Sequence, residues 1–413
     1  MADPSASDPL SYLFGLEQFG IKFGLDNILA IVERLGRPDR AYRTIHVAGT
    51  NGKGSVTAMV DAALRAAGHR AARYTSPHLV DLAERFVVDG KPVSHGALVA
   101  AAADVRDVVE SLRADGTLQT QPTFFEVTTA IAFELFRRAD VDVAVLEVGL
   151  GGRLDATNVV TPIATAITSI AFDHQLYLGS TLAEIAFEKA GIVKPGVPLV
   201  IGELEPEARA AIERVARERQ APVIAATAAA VAGFDIGLRG RHQSANAAIA
   251  AALLEVADRA GLRVPRDAVA EGLRHPDWPG RLDERRLPDG RELLLDAAHN
   301  PAGAASLASY LRDDATKRPL VFAAMRDKDV TGMLREMLPA ISLLVTTRAS
   351  NPRSADPAAL AERARALVAS ADVRAVDSLD DALAVAWSRS PRIVVAGSIF
   401  LLGDVMRRLG LHL

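Results

Sequence analysis

The stretch Thr44-Ile45-His46-Val47-Ala48-Gly49-Thr50-Asn51-Gly52-Lys53-Gly54-Ser55 is an apolar strand run, a glycine-rich turn and the start of a helical pattern. From Ser55 onward Val56, Met59, Val60, Ala63 and Leu64 recur at helical spacing, so one face is buried until the stop at Gly68. Strand, Gly-rich turn and helix in that order build a phosphate loop. Glycines let backbone N–H groups turn onto phosphate oxygens, the helix N-terminus adds positive potential, and Lys53 brings a full charge to the β- and γ-phosphates. Gly49, Thr50, Asn51, Gly52, Lys53, Gly54 and Ser55 are therefore the candidate nucleotide-binding segment, the alternative being an ordinary Gly-rich turn. One feature departs from the general pattern: Gly54 follows the lysine, and the hydroxyl comes one residue later at Ser55.

Outward from this unit, strand-like and helix-like runs alternate, which predicts an α/β protein around mainly parallel sheets. Val141 to Val148 reads as a buried strand and Ile163 to Ile170 as another. A helix opens with Thr181 and Glu184 in capping-box spacing and ends at Gly191. The Ala-rich run Ala245 to Ala260 is apolar nearly all round and predicts a buried helix. From about residue 291 the alternation restarts, with strands at Glu292–Leu295, Leu320–Met325, Leu343–Thr346, Val373–Val376 and Ile393–Ala396. Between the two runs, His275-Pro276-Asp277-Trp278-Pro279-Gly280 interrupts both periodicities. We therefore expect two domains, residues 1–280 and 281–413, with a linker at about 275–283.

Composition narrows the function. The 413 residues carry 47 basic and 51 acidic side chains, a formal net charge of −4, so the basic excess of a non-specific nucleic-acid binder is missing. Cysteine is absent, which removes disulfides, thiolate metal sites and thiol nucleophiles together and points any metal site to a hard cation, Mg²⁺ first. No apolar run has the length of a membrane span, and the opening MADPSASDPL is polar and acidic, so the expectation is a soluble cytoplasmic protein.

Several residues outside the loop sit where α/β proteins place chemistry. Glu147 ends a buried strand just before Gly149-Leu150-Gly151-Gly152, where it could hold Mg²⁺ or cap the following turn. That glycine run does not complete a dinucleotide fingerprint, because Leu154 stands where glycine or alanine is needed. His174 follows Asp173; Lys189 lies in the last turn of its helix, where its charge suits the dipole. Asp296 closes a strand before His299-Asn300-Pro301 opens a helix, a pattern that by itself reads as a cap. Arg281 reads as a linker charge, and Asn246 as a polar residue within the buried helix. Phe124 and Phe125 could stack on a flat ring or pack a core.

Ten ordered blocks resemble the folylpolyglutamate synthase and dihydrofolate synthase family of the Mur ligase superfamily, from about Gly20 to the C-terminus. They are IHVAGTNGKGS (45–55), YTSPHL (74–79), FFEVTTAIAF (124–133), LEVGLGGRLDATN (146–158), DH (173–174), EKAGIVKPG (188–196), RHQSANAA (241–248), WPGRLD (278–283), DAAHNP (296–301) and AMRDKD (324–329). Ala297 replaces the family's glycine, and Ser354 follows Pro352-Arg353 where alanine is common. The resemblance implies an N-terminal P-loop ATPase domain, a smaller Rossmann-like C-terminal domain and an active site in the cleft between them. It implies ATP and two Mg²⁺ sites, with Ser55, Ser76, Glu147, His174 and a carbamylated Lys189 about the metals. Lys53, Glu147, His174, Lys189 and Arg281 become the catalytic set, with Arg281 on the ATP phosphates, Asp296 at the ribose, and His299 and Asn246 on the nucleotide side. Phe124, Phe125, Arg153 and Asp155 become substrate-binding, with the Gly20–Ile28 segment beside them. The implied reaction joins L-glutamate to dihydropteroate, to a reduced folate, or to both, through an acyl phosphate, in a monomer. Basic side chains are expected where ATP and an acidic substrate meet. The rivals are a Mur-type ligase on another carboxylate, a non-catalytic P-loop module and a kinase.

Overall fold

The computed structural model describes residues 8–20, 22 and 24–411. The opening MADPSAS and two positions of the Gly20–Ile28 segment, Ile21 and Phe23, lie outside them.

Two sheets organise the chain. The first contains β1 (Arg43–Ala48), β2 (Ala71–Tyr74), β3 (Phe86–Val88), β4 (Lys91–Pro92), β5 (Val143–Glu147), β6 (Ala164–Ile167), β7 (Leu199–Ile201) and β8 (Val223–Ala225), in the order β4-β3-β2-β5-β1-β6-β7-β8. All pairs are parallel except β2 with β3 and β3 with β4. The second contains β9 (Asp283–Arg286), β10 (Glu292–Asp296), β11 (Pro319–Phe322), β12 (Leu343–Thr346), β13 (Val373–Ala375) and β14 (Arg392–Ala396), ordered β13-β12-β11-β14-β10-β9. Only β9 runs antiparallel there.

The central strands are apolar on consecutive residues because both faces are covered. In β5, Val143 and Val145 join one core with Ile45, Val47, Val56, Met59, Val60 and the Ala247–Ala257 helix face, whereas Ala144 and Leu146 join another with Val127, Ile131 and Phe133. The second sheet repeats the pattern: Leu294, Phe322 and Val394 face one core, Leu295, Val321 and Val395 the other. Alternate side chains point to opposite faces, so a doubly covered parallel strand loses the hydrophobic–polar alternation of an exposed sheet. The Ala-rich helix runs from His242 to Arg259 and is buried against the helix Lys53–Ala66.

The helix after β1 begins at Lys53, two residues before the expected Ser55, because Gly52 takes a left-handed φ of 87° and closes the turn early. Thr181 and Glu184 form the expected capping box on the helix Leu182–Ala190. β1 lies between β5 and β6, so the loops after all three C-terminal ends converge on one rim, the position where open α/β sheets bind ligands.

Candidate active site

The loop after β1 is held from beneath by the segment after β6. Thr50 N donates to Ser169 O at 2.7 Å, Asn51 N to Ser169 Oγ at 3.0 Å, and Thr168 Oγ1 donates to Asn51 O at 2.6 Å. Gly49 has φ 147°, and a Cβ there would sit 1.9 Å from Thr168 Oγ1. A side chain would therefore break the anchoring that keeps the loop open. Lys53 Nζ curls back over the loop and donates to the carbonyls of Gly49 and Thr50, each at 3.2 Å.

Glu147, at the end of β5, faces this loop. It is buried, and its Oε1 lies 3.9 Å from Lys53 Nζ, too far for a hydrogen bond, while Oε2 accepts from Ser76 N at 3.3 Å. Burial raises its pKa and the nearby Lys53 charge opposes that shift. Lys189 is buried too and donates to Gly49 O at 3.0 Å. Burial, then repulsion from Lys53, pushes its pKa down to about 7.

These groups fit a hard divalent cation in one respect and resist it in another. Glu147 Oε1 has acceptor capacity that no donor uses, and the hydroxyl-bearing Ser55 and Ser76 line the same cavity. Among the described residues, however, no three acidic or imidazole groups converge as a ready-made cage. A cation beside Lys189 fits once that amine is no longer an ammonium.

Across the cleft a second network joins the two sheets. Asp173, after β6, accepts from Lys328 Nζ at 2.6 Å and from Asn300 Nδ2 at 3.2 Å, with His299 Nε2 3.5 Å away. Asn51 and Asn300 exchange side-chain hydrogen bonds at 3.2 and 3.0 Å. Burial works against the Asp173 charge, but the His299 hydrogen bond and the Lys328 ammonium outweigh it and hold the carboxyl far below its usual range. Lys328 Nζ also donates to His174 Nε2 at 3.2 Å. Burial and then Lys328 lower the His174 pKa to about 4, so the imidazole is neutral with its proton on Nδ1. That contact engages the nitrogen lone pair a cation would need, so His174 can bind metal only if Lys328 releases it.

One cavity of about 430 Å³ collects nearly all the candidates: Gly49 through Ser55, Ser76, Glu147, His174, Lys189, Asn246, Arg281, Asp296 and His299. Asp296 accepts backbone N–H groups of Leu282 and Ala298 at 2.9 and 3.0 Å, and burial raises its pKa against the pull of Arg281. Asn246 Nδ2 donates to Gln243 Oε1 at 2.8 Å beside Gly52. The cavity wall holds the basic side chains Lys53, Lys189, Lys328, Arg85, Arg281 and Arg353 against the acidic Glu147, Asp173, Asp296 and Asp327. The basic excess expected at the site is present although the chain as a whole is acidic.

The four substrate candidates lie elsewhere. Phe125 packs on Tyr74, with ring centroids 6.0 Å apart, and Phe124 stacks on Phe14 at 6.2 Å beneath the Arg85 guanidinium. Arg153 pairs with Glu188 at 2.9 Å. Asp155 is buried behind the cleft, where it accepts from Gly149 N, Leu150 N and Thr157 N and from the Thr157 hydroxyl. It is the pin that shapes the glycine loop. Sequence reasoning left Arg85, Asp173, Asn300, Lys328 and Arg353 without a role; the DH, DAAHNP and AMRDKD blocks contained three of them, but only the fold brings them to one point.

Comparison with known proteins agrees with this geometry. Residues 47–224 match the Mur ligase middle domain and residues 280–399 the Mur ligase, glutamate ligase domain. The dihydrofolate synthase/folylpolyglutamate synthase of Mycobacterium tuberculosis is 39% identical over 401 residues, covering 88% of this chain and 82% of that protein. The solved M. tuberculosis folylpolyglutamate synthase complexed with ADP and AMPPCP has a TM-score of 0.89 at 35% identity, covering 98% of this chain and 99% of that one. A bifunctional folylpolyglutamate synthase/dihydrofolate synthase with Mn, AMPPNP and L-glutamate bound has a TM-score of 0.85 at 30% identity, covering 99% and 100% of the two chains. Two matched ligase domains, near-full-length relatives and one cleft lined from both sheets lead to a single assignment: the chain belongs to the folylpolyglutamate synthase and dihydrofolate synthase family of Mur-type ligases.

Proposed function

We propose that this chain is an ATP-dependent amide ligase that adds L-glutamate both to dihydropteroate and to folates already carrying glutamate. The observation that carries the reading is the single cavity in which the phosphate loop, Glu147 and Lys189 of the first sheet meet Arg281, Asp296 and His299 at the second. All of these come from one chain, which supports a monomer as the working unit. The segment 275–283 lies between the last helix packed on the first sheet and β9, which supports it as the boundary between domains 1–280 and 281–413. Among the described residues no helix is long and apolar enough to cross a membrane, which supports the cytoplasmic placement expected from the sequence.

A carboxylate is a poor electrophile, so the acceptor carboxylate first takes the γ-phosphoryl group of ATP to become an acyl phosphate. ADP departs in that first step; the glutamate amine then attacks the acyl carbonyl and loses a proton, and the tetrahedral adduct expels phosphate to leave the amide. Lys53 and the loop N–H groups would bind the phosphates, with Arg281 neutralising charge on the group in transfer, where phosphoryl-transfer catalysis gains most. Asp296 keeps acceptor capacity for a ribose hydroxyl, and His299 and Asn246 would border the nucleotide. A divalent cation, when bound, supplies further charge neutralisation on the phosphates; Ser55, Ser76, Glu147, His174 and a carbamylated Lys189 would hold such ions. The depressed Lys189 pKa of about 7 supports the carbamate, because CO₂ adds to a neutral amine with loss of a proton. Phe124, Phe125, Arg153 and Asp155 would shape the pterin side from behind, Asp155 through the loop it pins.

The test is turnover of the purified protein with ATP and L-glutamate and either dihydropteroate or tetrahydrofolate, scored by ADP and by mass detection of the new amide. Amide from both acceptors is expected. Phosphorylated acceptor without amide would indicate a kinase, and nucleotide binding without turnover a P-loop module.

A further inference from the structure

Gly54, the residue by which the loop departs from the general phosphate-loop pattern, lies against an indole. A Cβ built on residue 54 would fall 2.1 Å from Trp278 Cζ2, 2.6 Å from Cε2 and 3.0 Å from Nε1. These are atoms of a rigid ring, so any side chain at 54 must displace the ring itself. The contact bridges distant parts of the chain. Gly54 stands in the first turn of the helix Lys53–Ala66, directly between Lys53 and Ser55, whereas Trp278 lies between the helix Arg266–Arg274 and β9.

The same ring has two guanidiniums within cation–π range, Arg73 Cζ at 5.5 Å and Arg281 Cζ at 5.8 Å from its centroid. Among the described residues Trp278 Nε1 has no hydrogen-bond partner, so packing and the two guanidiniums hold the indole. Among the described residues the Arg281 guanidinium makes one hydrogen bond, from Nη1 to the neighbouring Gly280 carbonyl at 3.0 Å, and it lines the cavity within the field of Asp296 and Glu147. Three residues upstream, the ring that rests on the loop is therefore also a surface against which the arginine stands.

We infer that Trp278 is a positioning residue whose indole, seated on Gly54, sets Arg281 in register with Lys53, and that residue 54 is glycine to admit it. The inference rests on the reading above, in which the loop 49–55 holds nucleotide phosphates. Loop and linker then form one unit, and a nucleotide on the loop is felt at the residue that leads into the second sheet.

The experiment uses the full chain with Trp387→Phe as parent, which leaves Trp278 as its one indole because the sequence has two tryptophans. Gly54→Ala is expected to lower kcat/KM for ATP by roughly tenfold to a hundredfold through overpacking. Trp278→Leu should lower kcat by about tenfold while leaving ADP affinity within roughly threefold, and Trp278→Phe should recover most of the loss. The deciding comparison is the double variant: once residue 278 is Leu, adding Gly54→Ala should lower the rate by less than about twofold. The parent's single-indole emission should shift when ATP binds. Undiminished loss from Gly54→Ala in the Leu background, ADP affinity falling in step with kcat, or unchanged emission on ATP binding overturns the inference. The emission test needs only the folded parent, so it decides even where a variant fails to fold. A parent that neither binds ATP nor turns over would instead overturn the underlying reading, and this inference with it.

Discussion

At the scale of single residues, the site contains charges kept in place against the penalty of burial. Glu147 is one: burial raises its pKa, so its charged form is disfavoured in the folded chain and is retained for what it binds. Glu147→Gln preserves shape and removes the charge. We expect turnover to fall by about 10²-fold or more while the melting temperature stays level or rises, because a desolvated carboxylate has been removed. Parallel turnover and thermal-melt measurements check this, and a matched fall in both would make Glu147 a structural residue. His46 in β1 shows the opposite use of burial. Its Nε2 donates at 2.8 Å to Thr157 Oγ1, whose own proton goes to Asp155, and burial lowers its pKa from 6.5 to about 3. Between those values the unfolded chain takes up a proton that the folded chain refuses. The stability that depends on neutral His46 is thus complete above pH 6.5 and is lost as pH falls towards 3. In His46→Asn, whose amide can still donate to Thr157, the drop in unfolding free energy from pH 6.5 to 4.5 should be smaller by roughly 2 to 3 kcal/mol. Urea titrations at the two pH values measure it, and equal drops would refute it.

At the scale of elements, the glycines after β5 show what a motif can and cannot say. The run Gly149-Leu150-Gly151-Gly152 looks like a ligand cradle, yet protein atoms fill much of the space beside it. A Cβ on Gly149 would meet the Phe125 ring at 2.6 Å, and one on Gly152 would lie 2.8 Å from the Lys189 carbonyl. These glycines let the loop pass under one helix and against the end of another. Gly152→Ala should destabilise the chain by about 1–3 kcal/mol through a clash with backbone that cannot swing aside. Thermal denaturation reads that directly, and because the clash is at Lys189, turnover should fall with it. Long periodic elements such as the helix after the phosphate loop, and the doubly buried β1 and β5, were legible because every residue in them repeats one instruction. The short β7, β8 and β9 were not, since three or four residues carry too little pattern and their pairing is fixed by neighbours far along the chain. Asp155 shows the same limit in the site: its block marks it, but nothing local distinguishes a carboxylate that touches substrate from one that satisfies loop N–H groups. Lys328 is the converse, an unremarkable lysine in sequence that becomes central when the fold carries it 155 positions to Asp173.

At the scale of the whole molecule, polar contacts cross the cleft, and a 2.6 Å ion pair joins Asp173 after β6 to Lys328 after β11. Both side chains are less than a tenth exposed, so their attraction is little screened. Removing one charge from such a pair leaves the other desolvated, a penalty of about 3–5 kcal/mol if the structure cannot respond. This structure can respond by opening, since water entering between the sheets would solvate Asp173. Lys328→Met should therefore shift the protein toward an open form rather than unfold it. Opening has a chemical consequence, because an acyl phosphate exposed to water hydrolyses before the amine arrives. We expect a larger radius of gyration by solution scattering with nucleotide bound, and more than one ADP released per amide formed. The wild-type chain should stay compact and near one-to-one. A variant that remains compact and fully coupled would show that closure is carried instead by the Asn51–Asn300 pair and the apolar contacts around the linker.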